Sequence, residues 1–172
     1  MEWVIKFFQC KDVKKPERAH DSDSWIDFFI PNDLIWVKVT PEICSPWRKV
    51  DHCHDGSKEL VIMPGEWLLI PSWIHMIIPE WYDLVFENKS SIASKYNLVI
   101  WAKVVDASYR GEVHLHVINV WAYKQTIKLG QKIAQWIVRK VELCKMEEVD
   151  KEEFDSYCNT ERGVGGFWST GS

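Results

Sequence analysis

Short runs rich in Val, Ile and aromatic residues, broken every few residues by Pro, Gly, Asn, Asp or Ser, set the terms on which this chain can fold. WIDFFI, LIWVKVT, ELVIM, EWLLIP, IHMIIP, YDLVFE, NLVIWAKVV, EVHLHVINVWAY, QTIKL and KIAQWIVRKVEL are of this kind, and several alternate in polarity. β-Branched and aromatic residues fit a pleated, half-buried surface, and runs of this length suit strands better than helices. The expectation is an all-β fold. SSIASKYN, residues 90–97, is the best candidate for a short helix, and acidic KMEEVDKEEFDSYC, residues 145–158, reads as a solvated linker in preference to a helical turn. Residues 44–58 read as a polar insertion loop and residues 159–172 as a glycine-rich arm, so the expected division is a β domain over 1–158 and an arm over 159–172.

The 172 residues suffice for one domain with a proper core. A net charge of -4 argues against nonspecific nucleic-acid binding, which depends on many phosphate-neutralising Lys and Arg, so an anionic ligand must be held by a local site. No window approaches the roughly 18 apolar residues of a membrane helix. MEWVIKFFQCKDVKK has an acidic second residue and neither a basic leader nor a small-residue cleavage site, so a cytoplasmic location is expected. The five cysteines are odd in number and irregularly spaced, as expected of reduced thiols. Cys44, His52, Cys53 and His54 could be drawn as a zinc site, but no CxxC or matching downstream pair supports one.

Taken singly, the polar clusters are modest signals. VVDASYRGEV puts Asp106, Tyr109 and Arg110 where a tight hairpin would expose them, although a turn capped by its Asp explains the same residues. NKSSIAS places Lys89, Ser90 and Ser91 before a helix start, where Ser90 can be an N-cap or a phosphate ligand. GQKIAQW offers Gln131 and Gln135 on a strand, and the arm offers Arg162, Ser169 and Thr170 among glycines.

In chain order, AHDSDSWIDFF, NKSSIAS, VVDASYRGEV, GQKIAQ and RGVGGFWSTG resemble the five motifs of the trimeric dUTP diphosphatases, the dUTPase family. The resemblance spans residues 19 to 171 and implies a distorted jelly-roll (β-clip) barrel that forms a homotrimer with three active sites between subunits. It implies hydrolysis of dUTP to dUMP and pyrophosphate, by water attack on the α-phosphorus with Mg²⁺ present. Asp106 would orient and partly deprotonate the water. Tyr109 would pack on the deoxyribose and exclude a 2′-hydroxyl. Lys89, Ser90 and Ser91 would bind phosphate, and Gln135 would sit by the α-phosphate and the water. Asp27 would hold waters of the Mg²⁺ shell. On the arm, Phe167 would stack on uracil, Arg162 would neutralise phosphate charge, and Ser169 and Thr170 would bind the γ-phosphate, with arm closure expelling water. Uracil would be read by main-chain groups between Tyr96 and Tyr109, so the side chains leave dCTP as a minor alternative substrate. A second alternative is a non-catalytic trimer that binds nucleotide or a protein partner, with 44–58 as the contact surface; in either case a viral chain would act in host cytoplasm.

The sequence departs from that pattern in one systematic way. Trp25, Trp73, Trp81, Trp101, Trp121 and Trp168 stand where the family usually has glycine. An indole cannot cheaply take up φ > 0 or let backbone approach a ligand. A gene that uses UGA for glycine, translated under a code that reads UGA as tryptophan, would produce this substitution; deliberate replacement is the other explanation. Lys89 where Arg is usual keeps the charge but loses bidentate geometry, and Ser24 and Ser91 replace a common alanine and glycine.

Overall fold

The computed structural model describes residues 4–40, 47–52, 58–161 and 163, with side chains of 40, 47, 49, 51 and 52 excepted. The chain divides into two compact units, Met1–Val141 and Glu142–Ser172. The first is β-rich throughout. One sheet is organised on β7 (Trp67–Ile77), which pairs with β1 (Lys6–Gln9) and β3 (Trp36–Thr40) on one side and β11 (Glu112–Asn119) on the other. β4 (Trp47–Lys49) ends this sheet beyond β3, and β9 (Leu98–Ile100) ends it beyond β11. A second sheet runs in the order β10 (Val104–Val105), β8 (Tyr82–Asn88), β13 (Lys132–Lys140), β2 (Ile26–Phe29). A third joins β12 (Gln125–Lys128), β6 (Lys58–Ile62) and β5 (Asp51–His52).

The alternation legible in the sequence is what closes the core. Along β11, Val113, Leu115 and Val117 turn inward while His114 and His116 do not. Phe28, Ile62, Leu68, Ile70, Ile74, Leu98 and Ile127 from all three sheets join one buried cluster. Each such side chain removed from water contributes about 1.5–3 kcal/mol, and that burial is the main stabilising force here.

EWLLIP and IHMIIP, two runs in the sequence, form one strand in the structure. Between the pairs Glu112↔His75 and His114↔Pro71, three residues of β7 stand against one of β11. This bulge satisfies its own polar groups: Glu112 Oε1 accepts from the Trp73 N–H at 2.7 Å, and Ser72 Oγ donates to the Val113 carbonyl at 2.6 Å and accepts from the Ile74 N–H at 3.1 Å. NLVIWAKVV does the reverse and splits into β9 and β10, in different sheets. The 44–58 stretch is not simply a loop, since β4 and β5 lie within it.

The expected helix forms as α1 (Ser90–Tyr96), ended by Asn97 in the left-handed conformation at φ 50°. Its N-cap is Lys89 without a side-chain bond, so Ser90 is not the cap and its hydroxyl is not used for that purpose. In the second unit the linker expected over 145–158 is corrected in part. Residues 145–150 are exposed and irregular, but α2 (Lys151–Ser156) follows, its Asp150 cap accepting from the Glu153 N–H at 2.9 Å. Among the described residues, no helix is long and apolar enough to cross a membrane. Cys10, Cys144 and Cys158 are unpaired, while Cys44, Cys53 and His54 lie outside the described residues.

Candidate active site

The turn between β10 and β11 is built by its own residues. The Asp106 carbonyl accepts from the Tyr109 N–H at 3.0 Å, and the Arg110 guanidinium reaches back to the carbonyls of Ala107 and Tyr109. Arg110 thus staples the turn. The Tyr109 hydroxyl donates to the Glu112 carbonyl at 2.9 Å, which folds the ring over the backbone of Gly111. A Cβ at Gly111 would lie 2.4 Å from the Tyr109 hydroxyl oxygen and 2.5 Å from its Cζ, distances real Cβ atoms do not show. Any larger residue there would force the Tyr109 ring, two residues away, out of this position.

This turn closes one end of a pocket of about 290 Å³, lined by Leu69, Phe86, Ala102, Val104, Val105, Asp106, Tyr109, Val113 and His114. That volume lies at the lower end of the range for small-molecule pockets. Most of the lining is apolar. The Asp106 carboxylate is exposed and makes no hydrogen bond or ion pair among the described residues, so its lone pairs are available to a water or a sugar hydroxyl. The alternative reading, an Asp side chain spent on capping the turn, is not what forms; the backbone carbonyl does that work.

A second cluster surrounds Asp27 on β2. Its side chain is 6% exposed, and each oxygen takes a different ammonium: Lys89 at 2.9 Å on Oδ1 and Lys132 at 2.6 Å on Oδ2. Burial pushes the Asp27 carboxyl up, but the hydrogen bonds and charges of Lys132 and Lys89 outweigh it and hold the carboxyl below its ordinary value. Gln135 on β13 stands directly opposite Asp27 on one side and Glu87 on the other, and opposed residues of antiparallel strands share a face. Ser90 and Ser91, exposed in the first turn of α1, follow directly on Lys89. Lys132 was not singled out by the sequence, because its partner is 105 positions away.

The Asp27 cluster bears on magnesium. One carboxylate against two ammonium groups leaves a net positive set in which both Asp27 oxygens already have a cationic partner, a poor fit to a cation held directly by protein oxygens. Among the described residues no group of three or more His, Cys, Asp or Glu could hold a metal ion.

The two clusters lie at opposite ends of β8. Val105 pairs with Leu84, so Asp106 continues toward residue 83, whereas Lys89 follows the far end of the strand at Asn88. Five residues of strand from 84 to 89, at about 3.3 Å each, put roughly 17 Å of backbone between them. Asp106 and Tyr109 are brought together, as are Asp27, Lys89 and Gln135, but the first group is not brought to the second within one chain. Arg162, Phe167, Ser169 and Thr170 lie outside the described residues, as does Trp168.

Comparison with known proteins agrees with these motifs. The family model for dUTPase matches residues 56–171. A deoxyuridine 5′-triphosphate nucleotidohydrolase of Chlamydia trachomatis is 35% identical over 117 residues, covering 67% of this chain and 78% of its own length. Among solved structures, a mutant dUTPase of Staphylococcus bacteriophage 80alpha with dUpNHpp has a TM-score of 0.72 at 20% identity, covering 98% of this chain and 99% of its own. A mutant dUTPase of phage phi11 of S. aureus, described with a structural Mg(II) ion, has a TM-score of 0.65 at 20% identity, covering 88% and 99%. The order of the motifs, the β-rich fold and the family match agree: this chain belongs to the dUTPase family.

Proposed function

We propose that this chain hydrolyses dUTP to dUMP and pyrophosphate in sites completed between the subunits of a homotrimer. The observation that carries the reading is the uncommitted Asp106 carboxylate beside Tyr109 at the mouth of an apolar pocket of about 290 Å³. Asp106 orients a water and accepts its proton as the water oxygen bonds to the α-phosphorus; the bond from that phosphorus to the bridging oxygen breaks, and pyrophosphate leaves. Tyr109, held by Glu112 and by the absence of a Cβ at Gly111, packs on the deoxyribose and leaves no room for a 2′-hydroxyl. The positive set of Lys89 and Lys132 around Asp27, with Ser90 and Ser91, receives phosphate, and Gln135 lies by the α-phosphate and the water. The arm supplies Phe167 to the base and Arg162, Ser169 and Thr170 to the phosphates.

The 17 Å between the two clusters supports a shared site, since phosphate bound at Lys89 of one chain is far from Asp106 of the same chain. Magnesium in this reading would arrive with the triphosphate and would offset part of its charge. The reaction keeps dUTP low and yields dUMP for nucleotide metabolism in the cytoplasm. The rival reading, a non-catalytic trimer with a protein partner at 44–58, has one observation on its side: among the described residues, β4 within that stretch ends its sheet and pairs with β3 alone. Pyrophosphate release from dUTP, dCTP, dTTP and UTP with Mg²⁺ separates them. Turnover of dUTP alone, lost in Asp106→Asn, is expected; a folded protein that turns over none of the four supports the rival, and turnover of dCTP moves the assignment to the cytosine nucleotide.

A further inference from the structure

Two tryptophans have a backbone that tryptophan rarely adopts. Trp73 has φ 61° and Trp81 has φ 69°. In the left-handed region the Cβ of an L-residue crowds the neighbouring carbonyl, so a bulky residue there is a genuine outlier, whereas glycine meets no penalty. Among the described residues the others with positive φ are Gly65, Gly130, Gly163 and Asn97, all types that tolerate it. Tryptophan is 11 of 172 residues, yet it takes both places that should be glycine or asparagine.

Hydrogen bonds on either side show that the conformation belongs to the fold and not to the indoles. At position 73 the N–H donates to Glu112 Oε1 at 2.7 Å and the carbonyl accepts from the Cys10 N–H at 3.0 Å, which locks the bulge of β7. At position 81 the Tyr82 N–H donates to the Pro79 carbonyl at 3.2 Å, making Trp81 the third residue of a four-residue turn, and its carbonyl accepts from the Val141 N–H at 2.8 Å. Positive φ at the third position is the type II arrangement, for which glycine is the residue of choice. No ring or cation contact among the described residues offsets the strain at 81. That residue is 49% exposed, and among the described residues its indole has no ring or cation partner. Trp73 differs: it is 7% exposed and has Lys11 Nζ 4.8 Å from its ring.

We infer that the protein made by its own organism carries glycine at positions 73 and 81, the codon there being UGA read by a glycine tRNA. The inference rests on backbone geometry and is independent of the dUTP reading. It does not extend by geometry to Trp25, Trp101 or Trp121, none of which has positive φ.

Peptide mapping by mass spectrometry of the protein purified from the organism that carries the gene tests it. The peptides that contain positions 73 and 81 should each be lighter by the difference between an indolylmethyl group and a hydrogen; tryptophan at either position overturns the inference. The strain is tested separately by recombinant Trp81→Gly beside the chain as written. Removing a half-exposed indole without ring or cation partners from a left-handed site should raise the melting midpoint by roughly 2–6 °C. A midpoint that is unchanged or lower overturns the premise that glycine belongs there. Trp73→Gly is unsuited to that assay, because losing a buried indole opposes the relief of strain.

Discussion

Replacing Asp27 by Asn isolates the electrostatics of the buried cluster. The carboxylate is 6% exposed and accepts from Lys89, itself 22% exposed, and from Lys132, 40% exposed. A hydrogen bond to a charged group in a partly buried setting contributes about 1.5–3 kcal/mol; the Lys132 contact is screened by solvent and adds under about 1 kcal/mol. Asn keeps one acceptor oxygen but turns an amide N–H₂ toward the other ammonium. Against this stands relief from burying a charge, so the net loss is about 2 kcal/mol at neutral pH. The sign of the pH dependence is fixed by the lowered carboxyl. Because the folded group ionises below its ordinary value of 3.8, its stabilisation is present above that value and is lost as pH falls through the folded one. Urea denaturation of both proteins at pH 7 and near pH 3 is the assay, with the gap between them about 2 kcal/mol at the higher pH and smaller at the lower. A gap that is the same at both, or absent at pH 7, refutes the assignment of Asp27 as an ion-paired anion.

Asp106→Asn should leave the melting midpoint unchanged, since the carboxylate has no partner among the described residues, while pyrophosphate release from dUTP drops about 10²–10⁴-fold. Gly111→Ala should displace the Tyr109 ring, which its Cβ would meet at 2.4 Å, and the ratio of kcat/KM for dUTP over UTP should fall about tenfold or more; an unchanged ratio would show that Tyr109 does not read the sugar. Glu112→Ala leaves the Trp73 N–H without its acceptor and should destabilise by about 1–3 kcal/mol in urea, whereas Glu112→Gln, which keeps an acceptor oxygen, should retain most of the stability.

What the sequence made legible is what lies close together along it. Asp106, Tyr109, Arg110 and Gly111 form their turn among themselves, so one stretch of residues carried the whole unit. The α2 helix is also written locally: Asp150 stands three residues before Glu153, the spacing of a side-chain cap, but the density of acidic residues around it reads more readily as a solvated linker. β7 was hidden because Pro71 and Ser72 look like an interruption. The strand survives them only because Glu112 and Ser72 supply partners within the bulge, and Glu112 is 39 positions from the N–H it accepts. Lys132 was hidden for the same reason on a larger scale, as its carboxylate belongs to a strand brought alongside by pairing.

The register of β8 decides how many chains a working site needs. If nucleoside sits by Asp106 and Tyr109 of one chain and phosphate by Lys89 and Gln135 of another, damage to the two halves is complementable. Asp106→Asn and Gln135→Ala proteins, each inactive alone, would be denatured together at equal amounts and refolded. In random mixed assemblies about one site in four draws Asp106 from a Gln135→Ala chain and Gln135 from an Asp106→Asn chain, and so has both groups intact. Pyrophosphate release should then recover to about a quarter of that of the unsubstituted protein. Within a single chain no site could regain both residues, because each variant possesses only one of them. A refolded mixture no more active than its components would place both groups in one chain, and the 17 Å along β8 would then have to be closed by a rearrangement of the strand itself.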